Sequence, residues 1–321
     1  MSLKDNWLER QLKTVQELLQ EGAEALRENK LVLADSRLKE AAIIIDSAET
    51  ITPQVLNMRS TVYSELGILS SRTRDINGAI SYHQAALEAR QKLQEIVEED
   101  IRPGVAASHL NVGSLLAATQ QFGDAEPHLT AALDLLADFK DRDSDQIDSL
   151  LLGAYQNLGL VYASRQDYPN GLETLKQAAA LGHKLVKGGK AHVRPALAQT
   201  LMNLAVTQHA SGDSAEAITT AEEASEIAIE LYESTNDQTI LHQYLTTQMN
   251  LVTFNEAIDQ FDGAEDALFR ILELQPGHPE VIKRGKAFYN GILEKTDQEL
   301  IEGGLPREEA EESLAELEAM G

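Results

Sequence analysis

The segment Tyr155–Tyr162 reads Tyr-Gln-Asn-Leu-Gly-Leu-Val-Tyr and is followed by the turn Arg165–Asn170 and then by Gly171, Leu175 and Ala178. Its apolar residues recur at the three- and four-residue spacing of an amphipathic helix. The turn contains the Asp, Pro and Asn residues that favour a tight reversal of the chain. This stretch therefore predicts two antiparallel helices joined by a short loop.

The small residue after this turn has counterparts along the whole chain at nearly constant spacing. Successive intervals of 45, 46, 46, 46 and 47 residues separate Ala34, Ala79, Ala125, Gly171, Ala217 and Ala264. Twelve residues before each of them lies a second set: Gly22, Gly67, Gly113, Gly159, Ala205 and Val252. Small residues at fixed offsets let two helices approach closely, and a fixed period of this length is typical of a solenoid. We therefore expect an all-α solenoid of about six helical hairpins.

These residues resemble the tetratricopeptide repeat (TPR) family. The resemblance is clearest at Tyr155–Ala178 and extends to His109–Gly113, Leu201–Ala205 and the closing Leu274–Pro276. It implies a right-handed superhelix whose first helices line a concave groove. The period is longer than the usual repeat of about 34 residues, which makes the chain similar to the long repeats of kinesin light chains.

The repeats are expected within residues 1–276, at about 15–50, 53–100, 103–142, 147–190, 195–236 and 239–276. A capping helix within 277–302 would cover the open end of the last repeat. Residues 303–321 are predicted to form a short acidic helix after the break at Gly303–Pro306. This helix could dock on the cap, contact another protomer, occlude the groove or stay frayed, and the sequence leaves these alternatives open.

The charge of the chain narrows the classes of partner. Its 321 residues include 27 basic and 52 acidic side chains, a formal net charge of −25. Such a charge disfavours nucleic acids and anionic membrane surfaces. The longest stretch without a charged residue, Pro103–Gly123, is too polar to cross a bilayer, and the first residues lack a signal-peptide pattern. We therefore expect a cytoplasmic protein with no membrane insertion.

Signals of catalysis or of metal and cofactor binding are weak. The chain has no cysteine, which excludes disulfides, thiolate nucleophiles and cysteine-based metal sites. Its eight histidines form no His-Glu-x-x-His motif and no sequence cluster typical of a metal site. His83 occupies a helix-packing position, so we interpret it as structural. The sequence predicts a non-catalytic protein without a metal or cofactor.

The sixth position of the repeats is the main candidate for partner binding, when residues such as Gly159 are counted as position eight. From the third repeat onward it holds Asn111, Asn157, Asn203 and Asn250. The family resemblance implies that this position faces the groove. A carboxamide can donate and accept hydrogen bonds at once, which suits the backbone of an extended peptide. Alternatively, these asparagines are solvated or bonded to a neighbouring helix.

Other groove positions hold uncharged side chains. They include Gln156, Gln199, Met202 and Met249, with Leu160 and Val206 at position nine. Chaperone-binding members of the family hold a terminal carboxylate with groove lysines and arginines, which are absent from these positions. A partly apolar peptide or helical segment is therefore the expected ligand. Alternatively, some of these side chains pack against adjacent helices.

Three functional hypotheses follow from the sequence. The first is a scaffold that binds a peptide or helical segment of a partner protein in the concave groove. The second is a self-assembling adaptor, a possible homo-oligomer, that uses its convex face or C-terminal helix. The third is a ligand-sensing signalling regulator, for which a discrete pocket with convergent titratable groups would be needed.

Overall fold

The computed structural model describes residues 3–140, 142 and 144–320, and within them the regular structure is helical. Twelve helices follow one another in the chain as the first and second helices of six repeats: α1 Leu3–Arg27 and α2 Leu31–Asp46, α3 Pro53–Arg72 and α4 Ile76–Gln94, α5 Arg102–Ala118 and α6 Phe122–Leu136, α7 Asp145–Ser164 and α8 Tyr168–Lys187, α9 Arg194–Ala210 and α10 Ser214–Thr235, and α11 Gln238–Glu256 and α12 Phe261–Leu274. We number these pairs as hairpins one to six. The helices α13 Pro279–Ile292, α14 Asp297–Glu302 and α15 Arg307–Met320 follow.

Each hairpin turn contains one residue with left-handed backbone geometry. These residues recur at the repeat period and are Asn29, Arg74, Gln120, Gln166, Gly212 and Asp259. Five of the six are not glycine, although the left-handed conformation strains most L-residues. Aspartates begin several second helices: the Asp75 carboxylate accepts from the Gly78 N–H at 3.0 Å, and Asp213 accepts from Glu216 N–H at 3.0 Å.

The small residues predicted at position eight allow close contact between the two helices of a hairpin. A Cβ atom on Gly22 would lie 2.7 Å from Leu38, and one on Gly113 would lie 2.8 Å from Leu129. In hairpin two the same place is taken by the His83 ring, which lies 2.6 Å from a Cβ built on Gly67. His83 is 4% exposed, which confirms its structural interpretation. In these three hairpins a large side chain of the second helix occupies the space that a Cβ atom at this position would need.

The chain divides into two compact units, residues 1–161 and 162–321. The first unit contains hairpins one to three and most of α7. Its largest core cluster is built from side chains of α1, α2 and α3, among them Val15, Leu38, Ile45 and Leu66, all at most 2% exposed. Each of these residues lies on the face that its helix turns toward its partner, as the periodicity predicts.

The second unit contains hairpins five and six and ends with the C-terminal helices packed on hairpin six. Where the sequence predicts one capping helix, at 277–302, the chain forms α13 and the short α14. Ala310 and Leu317 of α15 are buried in the same cluster as Phe261 and Leu268 of α12. The short acidic helix is therefore docked on hairpin six and the cap, which is one of the alternatives that the sequence leaves open.

Polar contacts also attach the C-terminal segment to α12. The buried Glu265 carboxylate accepts hydrogen bonds from the Tyr289 hydroxyl at 2.7 Å and the Ser313 hydroxyl at 2.8 Å. The Gly303 carbonyl accepts from the Phe261 N–H at 2.7 Å and so caps the first turn of α12, which lacks a side-chain cap. None of the helices in the described part of the chain is both long and apolar enough to span a membrane.

Candidate functional site

The four position-six asparagines lie on the first helices of hairpins three to six. Asn111 is on α5, Asn157 on α7, Asn203 on α9 and Asn250 on α11. Two of them already take part in hydrogen bonds of their own helix. Asn157 donates from Nδ2 to the Gly153 carbonyl at 2.8 Å, and Asn203 accepts at Oδ1 from the Gln199 amide at 3.1 Å. Asn203 is also buried, with 8% of its surface exposed.

Asn111 and Asn250 differ from these two. Both are partly buried, and neither side chain makes a hydrogen bond with residues 3–140, 142 or 144–320. Each therefore retains a free carbonyl oxygen and a free amide, which is the arrangement that binds a peptide unit in both directions. The four predicted asparagines are thus not equivalent, and two of them are better placed to bind a ligand than the others.

Position nine, directly after the small residue, exposes an apolar side chain on three first helices. Leu160 is 38% exposed on α7, Val206 is 42% exposed on α9, and Ile68 is 37% exposed on α3. The sequence indicated the first two as groove positions and missed Ile68, although the repeat alignment places it at the same position. Each of these helices therefore exposes one aliphatic side chain that an apolar ligand group can contact.

The methionines and glutamines of the predicted site are partly buried. Met202 packs against the cluster that contains Leu197 and Leu201, and Met249 packs against the cluster formed by α11, α12 and the C-terminal helices. Gln156 is partly buried and has a polar contact within the protein. The predicted alternative, packing against adjacent helices, therefore applies in part to both methionines.

Charge is distributed unequally between the two helices of these hairpins. Asp, Glu, Lys and Arg are absent from residues 103–123, 149–164, 195–212 and 238–255. These ranges make up nearly all of the first helices α5, α7, α9 and α11. In contrast, α10 has six glutamates. They pair with neighbouring helices, as in the contacts of Glu222 with Arg270 at 2.9 Å and of Glu216 with Lys176 at 3.3 Å. The first helices therefore present amides, hydroxyls and apolar groups without competing charge.

Hydrogen bonds within and between helices pair several polar side chains of α9 and α11. The Thr207 hydroxyl donates to the Asn203 carbonyl at 2.8 Å, and Gln248 is bonded to Ser225 of α10. His209 contacts the Ser214 hydroxyl at 2.9 Å and lies against the Phe254 ring, with 4.7 Å between the ring centroids. These contacts fix the orientation of the two helices in the second unit and so hold Val206 and Asn250 in place.

The structure brings together two histidines that the sequence analysis treated as unclustered. Nδ1 of His109 on α5 lies 3.0 Å from Nδ1 of His128 on α6. Burial lowers the pKa of both rings, and the neighbouring His128 lowers the pKa of His109 further. The pair was missed because its members are 19 residues apart and meet only when the hairpin closes. The available signal was the repeat alignment, which places them at the positions of Tyr63 and Tyr82, a stacked pair in hairpin two.

Comparison with solved structures places the fold among TPR-like helical solenoids. The apo form of RapI matches with 12% identity and a TM-score of 0.59, over 95% of this chain and 98% of that one. A Rap protein complexed with Competence and Sporulation Factor matches with 14% identity and a TM-score of 0.50, over 96% and 98%. A putative kinesin light chain of Podosopora anserina, with nearly identical TPR-like repeats, matches with 16% identity and a TM-score of 0.51, over 70% and 97%.

At these identities the similarity establishes the fold and leaves the ligand open. No curated protein matches the chain significantly. A family model described as "Family of unknown function (DUF6483)" matches residues 2–320, almost the entire sequence. The chain therefore belongs to this family and has the TPR-like helical fold.

Proposed function

We propose that the protein is a non-catalytic interaction scaffold that binds an uncharged, partly apolar peptide or helical segment on the first helices of its hairpins. The observation that carries the proposal is the lack of charged residues over nearly all of α5, α7, α9 and α11 in a chain of net charge −25. If these helices were only solvated surface, charged residues would be expected on them as on the rest of the chain. The proposal includes the cytoplasmic location expected from the sequence and the relationship to the long repeats of kinesin light chains.

The exposed groups on these helices provide two kinds of contact. Val206 and Leu160 offer apolar surface, which gains free energy when a ligand covers it. Asn111 and Asn250 offer unoccupied carboxamides, which can bind the N–H and C=O groups of a peptide backbone without reading its side chains. Backbone hydrogen bonds and apolar contacts at alternate positions are a recurring mode of peptide recognition.

The TPR-like neighbours support a protein-binding role in general terms. One of them is a Rap protein complexed with Competence and Sporulation Factor. In contrast, one route to self-assembly loses its basis, since the apolar side of the C-terminal helix is buried against hairpin six of its own chain. We therefore prefer the scaffold to the self-assembling adaptor that uses this helix.

A selection from a phage-displayed library of random peptides tests the proposal. Synthetic versions of the enriched peptides are then titrated by fluorescence anisotropy against the wild type and the variants Val206→Glu and Asn250→Ala. Val206→Glu should weaken binding by about tenfold or more, because the new carboxylate loses hydration under the ligand. Asn250→Ala should weaken it by about fivefold, the effect of one net hydrogen bond of about 1 kcal/mol.

Asn290→Ala is the matched control. Asn290 is an exposed asparagine of α13 whose Nδ2 donates to the Lys286 carbonyl of its own helix at 2.7 Å. This variant should bind the peptides as the wild type does. Equal affinity of all four proteins for every enriched peptide, with circular dichroism showing that each is folded, would contradict the proposed surface.

A further inference from the structure

A cleft in the first unit is lined by residues other than those proposed to bind the peptide. It measures about 410 Å³ and is bordered by α4, α5, α6 and the turn between the last two. Its polar lining consists of His109, His128, Asp124, Gln84 and Gln121. The apolar lining is supplied by Ile80, Leu116 and Pro127. The two imidazoles thus meet at a wall of an open cleft instead of inside a closed core.

The two rings face each other through the same atom. In the neutral pair only one Nδ1 can carry a hydrogen, so one ring donates and the other accepts across the 3.0 Å separation. The ring centroids are 5.1 Å apart and the planes are tilted by 47°. Imidazole nitrogens are among the donors that zinc, nickel and cobalt prefer, and here two of them lie 3.0 Å apart.

A metal ion binds an imidazole through the lone pair of a neutral ring. Burial in the wall of the cleft lowers the pKa of both rings. The charged group that faces the pair is Asp124, one helical turn before His128, and its charge opposes the effect of burial on the His128 pKa. The lining residues from α4 and from the turn are uncharged. A single carboxylate beside two neutral rings attracts a cation.

We propose that His109 and His128 form a two-imidazole site for a borderline divalent transition-metal ion of the Zn²⁺, Ni²⁺ or Co²⁺ class. Both Nδ1 atoms coordinate the ion. The hydrogen that one Nδ1 carried moves to Nε2 of the same ring, so that both rings remain neutral. Among the described residues no group of three His, Cys, Asp or Glu side chains is gathered to hold a metal. The remaining positions of the ion are therefore filled by water, for which the cleft has room.

Hairpin two provides the matched control. The equivalent positions there hold Tyr63 and Tyr82, which stack with 6.0 Å between ring centroids. The double variant His109→Tyr/His128→Tyr copies a pair that this chain already accommodates and removes both nitrogen donors. A second control is His242→Gln, which removes a single exposed histidine of α11.

The experiment is a titration with Zn²⁺ by isothermal calorimetry at pH 7.5, and with Co²⁺ by visible absorption. The wild type and His242→Gln should bind one ion with equal affinity, and the double tyrosine variant should bind it at least about tenfold more weakly. Nitrogen chemical shifts of the two rings should move at Nδ1 when Zn²⁺ is added. Equal binding by the double variant, no shift at either Nδ1, or no uptake by the wild type at submillimolar Zn²⁺ would overturn the proposal.

Discussion

Hairpins two and three have the same construction and differ in what their second helices place against the first. In hairpin three the side chain over Gly113 is Leu129, whereas in hairpin two the one over Gly67 is His83. The Nδ1 of His83 is buried and has no hydrogen-bond partner within the described residues. At the preceding position of the second helix, hairpin three has the histidine: His128 there corresponds to Tyr82 in hairpin two.

The comparison shows that repeat position decides what a histidine does. At the position over the glycine an imidazole is enclosed and has to remain neutral, since a buried charge without a partner is costly. One residue away the imidazole reaches a cleft and meets a second ring. Residue type alone would have assigned His83, His109 and His128 the same role.

The glycines under these side chains should give the largest difference between the two hairpins. A Cβ on Gly67 would meet three atoms of the rigid His83 ring, whereas one on Gly113 would meet branch atoms of the flexible Leu129. We expect Gly67→Ala to lower the free energy of unfolding by about 3 kcal/mol and Gly113→Ala by about 1 kcal/mol, after the gain in helix propensity. Urea unfolding monitored by circular dichroism measures both.

Gly123→Ala serves as the control, because nothing lies within 4 Å of a Cβ at this position of α6. It should leave stability unchanged or raise it slightly. If Gly67→Ala and Gly113→Ala had equal costs, the rigid ring would not be the cause.

The pH dependence of stability should also distinguish His83 of hairpin two from Leu129 of hairpin three. Burial lowers the pKa of His83 to about 4, from 6.5 in the unfolded chain. The unfolded state therefore binds more protons than the folded state between these pH values. The stability that neutral His83 contributes is fully present above pH 6.5 and is lost as the pH falls toward 4. The loss amounts to about 3 kcal/mol at full extent.

His83→Leu copies hairpin three and should remove this loss. We expect the variant to gain stability over the wild type at pH 5 and to gain less at pH 7.5, as measured by thermal unfolding at the two values. A gain that is the same at both pH values would mean that packing, and not titration, distinguishes the two side chains.

The hairpin turns should give the smallest effect. Arg74 and Gln120 have left-handed backbone geometry with φ of 62° and 61°, where glycine carries no steric penalty. Arg74→Gly and Gln120→Gly should each raise the free energy of unfolding by about 0.5–1 kcal/mol. Gly212→Ala, at the equivalent turn of hairpin five, should lower it by a similar amount. Chemical denaturation of the three variants checks these signs, and a loss of stability in both glycine variants would refute the interpretation.

Much of the fold follows from the sequence because its signals are local and repeated. The spacing of Gly22, Gly67 and Gly113 predicts the hairpins, and the structure explains it by the side chain that covers each glycine. The turns were predicted from their Gly, Asn, Asp and Pro residues, yet three of the six left-handed positions are occupied by Arg or Gln. The left-handed turn geometry is thus repeated even where the residue is not glycine, which would adopt it without strain.

The candidate site was less predictable, because exposure depends on the packing of neighbouring helices. The four asparagines share one position, but Asn203 is buried and bonded to Gln199, whereas Asn250 is free to bind. Docking of the C-terminal helix depends on contacts such as Ser313 with Glu265, which are 48 residues apart. Neither could be inferred from periodicity alone.

The most direct test of the proposed binding surface is site-specific photo-crosslinking in a lysate of the source organism. A benzophenone amino acid is placed at Val206, exposed on α9, and in a second protein at Thr219, exposed on α10 of the same hairpin. Mass spectrometry then identifies covalent adducts. The account predicts a protein or peptide adduct at position 206 and none at position 219, and adducts at position 219 alone would contradict it.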